Sequence, residues 1–348
     1  MYILGVETSC DETAAAVIKM DEKTKRLFVL SNVVASQIDI HKKYGGVIPE
    51  VAAREHVISI IPVIDQAIKE AKITSKKLNY IAVTKGPGLI TSLMSGMETV
   101  RSLSYAWKKP AIEVNHIAGH IYANFINLAR EVKFPAVILT VSGGHTNLVL
   151  MKKSHTLTII GETLDDAAGE AYDKAAKMMG LGYPGGPIIS EMATKFSKNS
   201  KNIKNYIEIK LPRPMINDGS YNFSFSGLKT ALLYTLQKDK NWKKRIPEYC
   251  YYYQEAIIDV LTKKTIKAAK KYKAASVMLS GGVSANKELR LRLKKMVEKE
   301  MPKVDLFVPK LSYTTDNAAM IAAAGAFKAL KDRTKDYSKL KTDPNWKL

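Results

Sequence analysis

The strongest constraint on the fold is a strand–turn–strand pattern that occurs twice in the chain. Residues 2–7 (YILGVE) and 14–18 (AAAVI) flank the polar turn TSCDET, and residues 136–141 (AVILTV) and 147–151 (NLVLM) flank SGGHT. Short apolar runs on either side of a polar or glycine turn are typical of β-hairpins. The repetition predicts a duplicated α/β unit.

Glycine loops indicate what these units bind. They are VSGGH (141–145), YPGGP (183–187) and LSGGVSAN (279–286), and the last runs from a strand into an amphipathic helix. Glycines let backbone N–H groups approach a phosphate, so the loops predict a nucleotide site. Similar spacing is found in the two-lobed fold of actin, sugar kinases and chaperone ATPases. We therefore expect that α/β fold, with the nucleotide between duplicated domains.

The length of 348 residues favours two lobes over one compact domain. We expect residues 1–130 to form an N-terminal lobe, completed by a C-terminal helix at 317–335. The second lobe is expected at 131–316, with an irregular insertion at about 190–250 that is rich in Lys, Asn and Pro. The last residues, 336–348, are interpreted as a loose tail.

Composition favours a cytoplasmic protein without a membrane segment. No run of 18 apolar residues could span a bilayer, and the N-terminus lacks a basic leader and a cleavage site. Cys10 and Cys250 are too few for a disulfide framework, which favours a reducing compartment. The net charge of +21 favours a polyanionic partner such as RNA, although a solvated lysine-rich surface gives the same charge.

A histidine pair predicts a metal site. His116 and His120 are four residues apart, so on a helix their rings point the same way and can share one cation. The spacing alone is weak, because such pairs arise by chance. Asp316, in TTDN, is a suitable third ligand or an N-cap, and the two roles are compatible. Ile117 stands where a metalloprotease of this pattern needs a Glu, which argues against peptidase chemistry.

Two helices carry informative side-chain patterns. A helix over 164–179 would place Asp166, Glu170 and Asp173 on one face, either as a solvated acidic stripe or as a partner for ribose or metal. In a helix over 50–71, a further set of apolar residues falls near one face, which predicts that this helix packs on the core and has a structural role. That set is Val51, Ile58, Ile61 and Ile68.

The remaining candidates lie at turns. Asp11 and Glu12 occupy the tip of the first hairpin, where phosphotransferases of this fold often use an acid to orient a metal or water. Cys10 is a poor nucleophile candidate because no His stands beside it in sequence. Asn286 ends the third glycine loop, where its amide could bind a ribose or base edge or simply form a local turn.

These motifs together resemble the tRNA threonylcarbamoyladenosine-forming transferase family, called TsaD in bacteria and once described as an O-sialoglycoprotein endopeptidase. The resemblance covers nearly the whole chain and rests on ILGVETSCDET (3–13), YGGVIPEVAAREH (44–56), GPGLITSLMSG (86–96), NHIAGH (115–120), VSGGHT (141–146), ETLDDAAGEAYDKAAKMMGLGYPGGP (162–187), FSFSGLKTA (223–231), SGGVSAN (280–286) and TDNAAMIA (315–322). FSFSGLKT and DDAAGEAYDK are nearer the bacterial and mitochondrial branch of the family than the archaeal one. Archaeal relatives carry a tyrosine metal ligand where this chain has Thr140, so we expect no tyrosinate ligand here.

The resemblance implies a site and a reaction. His116, His120 and Asp316 would bind one metal, iron or alternatively zinc. The residues implied for the adenylate of the substrate are Thr140, Val141, Ser142, Gly143, Gly144, Asp173, Gly186 and Asn286. A threonylcarbamoyl group would pass from threonylcarbamoyl-AMP to the exocyclic amine of the adenosine 3′ of the anticodon, in tRNAs that read codons beginning with A. Asp11 and Glu12 would position the acceptor as catalytic residues.

The implied partners are tRNA, a smaller inactive paralogue (TsaB-like) and an ATPase (TsaE-like). The main alternative is an ATP-dependent phosphotransferase or ATPase of the same fold. Such kinases use oxygen-ligated magnesium, whereas two imidazoles favour a transition metal and hence the carbamoyl transferase. A non-enzymatic scaffold or RNA-binding protein would be expected to lose the His pair or the glycine loops, and the sequence retains both.

Overall fold

The computed structural model describes residues 1–128, 130–153, 155–199, 209–331 and 334–348. The chain divides into two compact units. Unit 1 comprises Met1–Glu131 and Pro309–Leu348, and unit 2 comprises Val132–Val308. Asp316, expected at the end of the second lobe, lies in unit 1 because the helix that follows it packs on the first sheet.

Unit 1 is built on a sheet that, in the described residues, has five strands in the order β3-β2-β1-β4-β5. The strands are β1 (Tyr2–Glu7), β2 (Glu12–Met20), β3 (Leu27–Ser36), β4 (Tyr80–Gly86) and β5 (Ala111–Asn115). Its helices are α1 (Ile38–Lys42), α2 (Pro49–Glu70), α3 (Ile90–Trp107), α4 (His116–Tyr122) and, from the end of the chain, α10 (Ala318–Ala329).

Unit 2 likewise contains a sheet with five described strands, in the order β10-β9-β6-β7-β8. They are β6 (Ala136–Val141), β7 (Thr146–Met151), β8 (Leu157–Glu162), β9 (Ser276–Ser280) and β10 (Asp305–Phe307). The helices are α5 (Ala168–Met178), α6 (Gly185–Asn199), α7 (Ser226–Lys238), α8 (Ile246–Lys271) and α9 (Lys287–Glu300).

The two sheets have the same topology. In each, the first strand pairs antiparallel with the second and parallel with the fourth, the second pairs antiparallel with the third, and the fourth pairs parallel with the fifth. The predicted hairpins are β1–β2 and β6–β7. Both consist almost entirely of buried residues, which explains why each reads as a near-continuous apolar run. The predicted duplicated α/β fold is confirmed.

Helix α2 buries a different face from the expected one. His56, Ile60 and Ile64 are among its buried residues, whereas Ile58 and Ile61 are 67% and 56% exposed. The apolar residues of this helix cover more than one face, so periodicity alone chose the wrong one. An apolar strip of α2 therefore remains on the surface of unit 1.

The C-terminal segment is not the loose tail that was predicted. Leu340 is fully buried in the core of unit 1, and its carbonyl accepts a hydrogen bond of 2.6 Å from Arg101. The indole of Trp346 lies under the ammonium groups of Lys85 and Lys328. Buried apolar side chains and hydrogen bonds therefore hold the segment in place. Its position at the end of the sequence gives no sign of these contacts.

The structure also differs from the predicted length of the last helix and from the predicted irregularity of the insertion. The last helix ends at Ala329, short of the predicted 335, and residues 332–333 lie outside the described part. Much of the expected insertion at 190–250 is helical, since most of α6, all of α7 and the start of α8 fall within it; residues 200–208 lie outside the described part. Among the helices that the structure describes, none is long and apolar enough to cross a membrane.

Candidate metal centre and glycine loops

Helix α4 carries the histidine pair. Strand β5 ends at Asn115, whose side-chain Oδ1 accepts a hydrogen bond of 3.1 Å from the backbone N–H of Ala118 and so caps the helix. His116 and His120 follow one turn apart, and their buried rings lie 4.6 Å apart in an edge-to-face arrangement. The pair predicted from spacing is therefore formed on one short helix.

Asp316 joins them. Gly119 lets α4 approach α10 closely, because a Cβ there would lie 2.7 Å from Ile321. Asp316 lies two residues before the start of α10, and its Oδ1 lies 3.6 Å from Nε2 of His116 and 3.2 Å from Nε2 of His120. The N-cap of α10 is Asn317 rather than Asp316, so the carboxylate of Asp316 is not used as a cap.

The cluster fits a metal ion. One ligand atom from each of His116, His120 and Asp316 lies within 4.8 Å of the others. His120 is 1% exposed, yet neither of its ring nitrogens has a hydrogen-bond partner among the described residues. Burying an imidazole without hydrogen bonds is costly, and a bound cation would satisfy its ring nitrogen. Two imidazoles and one carboxylate suit a transition metal and leave positions open for a ligand.

Glu7, at the end of β1, contacts Nδ1 of His116, the ring nitrogen that does not face Asp316. Its buried carboxylate lies 3.3 Å from Nδ1 of His116 and accepts a hydrogen bond of 2.6 Å from the hydroxyl of Thr84. Burial disfavours both charges. The charge of His116 nevertheless lowers the pKa of Glu7, while the carboxylates of Asp316 and Glu7 raise the pKa of His116 to about 9. A carboxylate behind a ligating imidazole orients the ring.

Sequence reasoning missed Glu7, although an acid closing the apolar run YILGVE was an available signal. It also missed Ser9, whose hydroxyl lies 3.0 Å from Nδ1 of His116. His56 was missed too. Its ring nitrogens lie 2.8 Å from the hydroxyl of Thr13 and 3.0 Å from the carbonyl of Cys10, so it ties α2 to the first hairpin.

The tip of the β1–β2 hairpin carries the two predicted acids. Asp11 is 8% exposed, and Glu12 opens β2 and accepts a hydrogen bond from Ser36. Burial, together with the charges of Asp11 and Asp316, raises the pKa of Glu12 to about 10. Burial and Asp11 also raise the pKa of the Cys10 thiol, which disfavours a thiolate nucleophile.

Two of the three glycine loops of unit 2 pack against each other, at Gly281 and Val141. Gly281 has a φ of +85°, and a Cβ there would collide with the carbonyl of Val141. Gly169, in the first turn of α5, donates a hydrogen bond of 3.2 Å to the carbonyl of Ser142. In contrast, no atom lies within 4 Å of a Cβ built on Gly143 or Gly144. The backbone of the β6–β7 turn therefore faces open space, as a phosphate-binding loop requires.

Other predicted residues of unit 2 have local partners. Thr140 and Val141 are fully buried, and the hydroxyl of Thr140 lies 2.9 Å from that of Ser280. The carboxylate of Asp173 accepts a hydrogen bond of 2.7 Å from the N–H of Gly185, beside Gly186. These contacts hold the loops in shape.

Asn286 is engaged at both ends of its side chain. Its Oδ1 accepts a hydrogen bond of 3.0 Å from Leu289 and caps α9, and its Nδ2 donates one of 2.7 Å to Gln254. Of the two roles considered for this residue, the structure shows the local one.

The predicted acidic stripe is not formed as expected. Helix α5 begins at Ala168, so Asp166 lies before it, and Lys174 pairs with both Asp166 (2.6 Å) and Glu170 (2.8 Å). The neighbouring Asp165 accepts hydrogen bonds from the backbone and hydroxyl of Ser226 at the start of α7. The acids of this region are used by lysines and by a helix terminus.

Comparison with known proteins identifies the family. Residues 28–323 match the family model of TsaD, tRNA N6-adenosine threonylcarbamoyltransferase. The chain belongs to the TsaD family. The tRNA N6-adenosine threonylcarbamoyltransferase of Bacillus subtilis (strain 168) is 50% identical over 327 residues, covering 93% of this chain and 90% of that protein. The enzyme of the same name from Thermosipho africanus is 47% identical over the full length of both chains.

The fold has a more distant structural relative. A solved structure of HypF from T. kodakarensis superposes with a TM-score of 0.59 at 12% identity, covering 95% of this chain and 48% of that one. This likeness concerns the fold alone. The TsaD match and the two relatives establish the activity: this TsaD-family chain is a transferase that modifies tRNA by adding a threonylcarbamoyl group to N6 of adenosine.

Proposed function

We propose that the donor is threonylcarbamoyl-AMP, and that the acceptor is the adenosine 3′ of the anticodon in tRNAs reading codons that begin with A. The N6 amine forms a bond to the carbamoyl carbon while the bond from that carbon to the phosphate oxygen breaks. AMP leaves and the amine releases a proton. The donor is already activated, so the enzyme needs alignment and charge stabilisation rather than a strong nucleophile.

The observation that carries this proposal is the metal-ligand cluster of unit 1. His116, His120 and Asp316 would hold one iron or alternatively zinc ion, and a cation would coordinate the buried ring of His120, whose nitrogens form no hydrogen bond among the described residues. A metal bound there would supply a Lewis acid. Glu7 and Ser9 hold the ring of His116 in its orientation.

The glycine loops of unit 2 would hold the adenylate. The turn at Gly143 and Gly144 is open, with no atom within 4 Å of a Cβ built on either, and the N–H of Ser142 closes it through a hydrogen bond to the carbonyl of His145. Gly186 lies at the start of α6. Thr140, Val141, Asp173 and Asn286 would act through the backbone positions that they fix, because their side chains are buried or engaged locally.

We assign Asp11 and Glu12 to the acceptor side. Burial and the charge of Asp11 raise the pKa of Glu12, which favours its protonated form, and a protonated Glu12 can donate a hydrogen bond where Asp11 accepts one. Alanine variants of both residues should lower the transfer rate without removing the metal. Full transferase activity in both would end this assignment.

The proposed partners are tRNA, a smaller TsaB-like paralogue and a TsaE-like ATPase, in the cytoplasm. The net charge of +21 supports a polyanionic substrate. An exposed apolar patch supports a protein partner. It comprises Val57, Ile58 and Ile61 on α2, each more than half exposed.

The test is mass spectrometry of nucleosides from an unmodified ANN-decoding tRNA after incubation with the protein, threonylcarbamoyl-AMP and bacterial helper proteins. Wild type should yield threonylcarbamoyladenosine, and His116→Ala should yield none. Helpers are first shown to be active with a known transferase. If wild type then gave no product, the donor and partner assignments would fall.

A further inference from the structure

The C-terminal strap, defined here as residues 335–346, lies against the sheet edge that leads to the metal cluster. The strap begins where Lys335 pairs antiparallel with Ala111, at the start of β5, with hydrogen bonds of 2.8 and 3.2 Å. It follows α10 and lies beyond residue 323, where the match to the family model ends. The strap therefore runs beside the strand that carries α4.

The strap is anchored on a buried carboxylate of β5. Glu113 is 6% exposed; its Oε2 lies 2.7 Å from the ammonium of Lys335 and its Oε1 accepts a hydrogen bond of 2.9 Å from the N–H of Lys341. Between these anchors Leu340 inserts into the core. The strap thus follows β5 toward its carboxyl end.

At that end the strap meets Asn115. The carbonyl of Trp346 accepts a hydrogen bond of 2.9 Å from Nδ2 of Asn115, and the Trp346 ring is held by Lys85 and Lys328, whose ammonium groups lie 5.0 and 4.9 Å from its centroid. Asn115 uses its other atom, Oδ1, to cap α4. One side chain therefore joins the strap to the helix that carries both histidines.

A second route leads from the strap to His116. The strap residue Pro344 accepts a hydrogen bond of 3.2 Å from the N–H of Gly88, and a Cβ on the neighbouring Gly86 would collide with the carbonyl of Asp343. On its other side, Gly88 lies against Ser9, with 2.5 Å from its Cβ position to the Ser9 carbonyl. Ser9 in turn contacts Nδ1 of His116.

We propose that the C-terminal strap is a positioning element of the metal centre: by holding Asn115 and the loop at Gly86 and Gly88, it aims His116 and His120 at Asp316. Through Asn115 the strap reaches the cap of α4, and through Gly88 and Ser9 it reaches Nδ1 of His116, the two features that orient the ligands. Contacts of this kind typically change metal affinity by about 10- to 100-fold when removed.

The test measures metal binding rather than catalysis. Co²⁺ is titrated into metal-free full-length protein, and its visible absorption and dissociation constant are compared with those of a chain ending at Thr342 and of Trp346→Ala. We expect both to bind Co²⁺ about 10-fold more weakly, with an altered absorption band and faster loss of metal to a chelator.

Two controls separate positioning from general destabilisation. Asn345→Ala changes an exposed strap residue whose contact uses only its backbone N–H, and it should bind as wild type does. Ile64→Ala removes a side chain from the same core on α2, far along the chain from the strap. It should lower the melting temperature while leaving the Co²⁺ spectrum unchanged. Weakening of Co²⁺ binding by Ile64→Ala equal to that by Trp346→Ala would overturn the proposal.

The inference rests on the metal site proposed above, and the same titration separates the two. If wild type bound no Co²⁺, or if His116→Ala bound it as tightly as wild type does, the proposed metal site itself would be wrong. If wild type bound Co²⁺ and both strap variants matched it within about twofold, only the positioning role of the strap would be wrong.

Discussion

The β1–β2 hairpin of unit 1 and the β6–β7 hairpin of unit 2 occupy the same position in two sheets of identical topology, yet they carry different chemistry. The turn of the first hairpin carries the carboxyl groups of Asp11 and Glu12, and the charge of the proposed metal ligand Asp316 acts on Glu12. The second ends in Gly143 and Gly144, whose backbone faces open space. The duplicated fold fixes where a turn projects, and the side chains of that turn decide what it can bind.

The two turns are also held differently. In unit 1, buried polar side chains add to backbone contacts in holding the turn, since His56 binds the carbonyl of Cys10 and Glu7 accepts a hydrogen bond from the N–H of Ser9. In unit 2, Gly169 and Gly281 bring backbone against backbone at Ser142 and Val141. Unit 1 should therefore be sensitive to loss of polar groups, and unit 2 to the addition of atoms at glycines.

The largest effect is expected from His120→Ala. Loss of one of three ligands should weaken Co²⁺ or Zn²⁺ binding by more than the roughly 10- to 100-fold typical of an outer contact. AMP binding by unit 2 should stay within about twofold of wild type. Metal analysis measures the first effect and AMP titration the second. If AMP affinity fell as much as metal affinity, the assignment of metal binding to unit 1 and nucleotide binding to unit 2 would be wrong.

The converse substitution is Gly143→Val. Open space surrounds its Cβ position and its φ lies outside the left-handed region, so the variant should fold normally. The added side chain would fill the turn that faces the phosphate, and AMP affinity should fall by about 10-fold or more, equivalent to about 1.4 kcal/mol. Metal content should not change. Wild-type AMP affinity in Gly143→Val would show that the turn does not hold the nucleotide.

A matched glycine pair tests backbone packing in unit 2. Gly281→Ala combines a φ of +85° with a collision at Val141 and should cost about 1–3 kcal/mol of unfolding free energy. Gly282→Ala has neither feature, since its φ is not left-handed and no atom lies within 4 Å of its Cβ position. Thermal unfolding of the two variants should therefore differ; equal melting temperatures would contradict the packing argument.

Asn286→Ala tests the local role of that residue. Loss of the α9 cap should cost about 1 kcal/mol, and Asn286→Asp should recover most of it because the capping oxygen remains. Denaturant unfolding measures both. If Asn286→Ala instead kept wild-type stability and lost AMP affinity, its amide would belong to the nucleotide site.

The smallest effect depends on pH and concerns the side-chain anchoring of unit 1. Burial disfavours the charge of Glu113, but Lys335, Lys341 and Lys85 outweigh it and hold the pKa below its usual 4.5. A lowered folded-state pKa contributes stability above about pH 4.5 that is lost as the pH falls through the folded value. The stability difference between wild type and Glu113→Gln should therefore shrink as acid is added. If the difference in unfolding free energy between the two proteins stayed constant from pH 7 to pH 3, the charge of Glu113 would not contribute to stability.

Local patterns were sufficient to predict several features. Both hairpins, the glycine turns and the i, i+4 spacing of His116 and His120 depend on residues that are close in sequence, where strand and helix periods apply directly. The wrong face of α2 and the early start assigned to α5 show the limit of this reasoning. Apolar residues on several faces do not specify which one packs, and Asp166 precedes α5, where it pairs with Lys174 and Lys229.

The sequence by itself determined the repeated α/β pattern, the family and the residue types of the metal cluster, because these are properties of short segments and of their order. Only the tertiary structure placed Glu7 behind His116, Asp316 before both imidazoles, and Trp346 against Asn115. These contacts join residues 109 to 231 positions apart. No local period links such positions; packing of strands and helices brings them together.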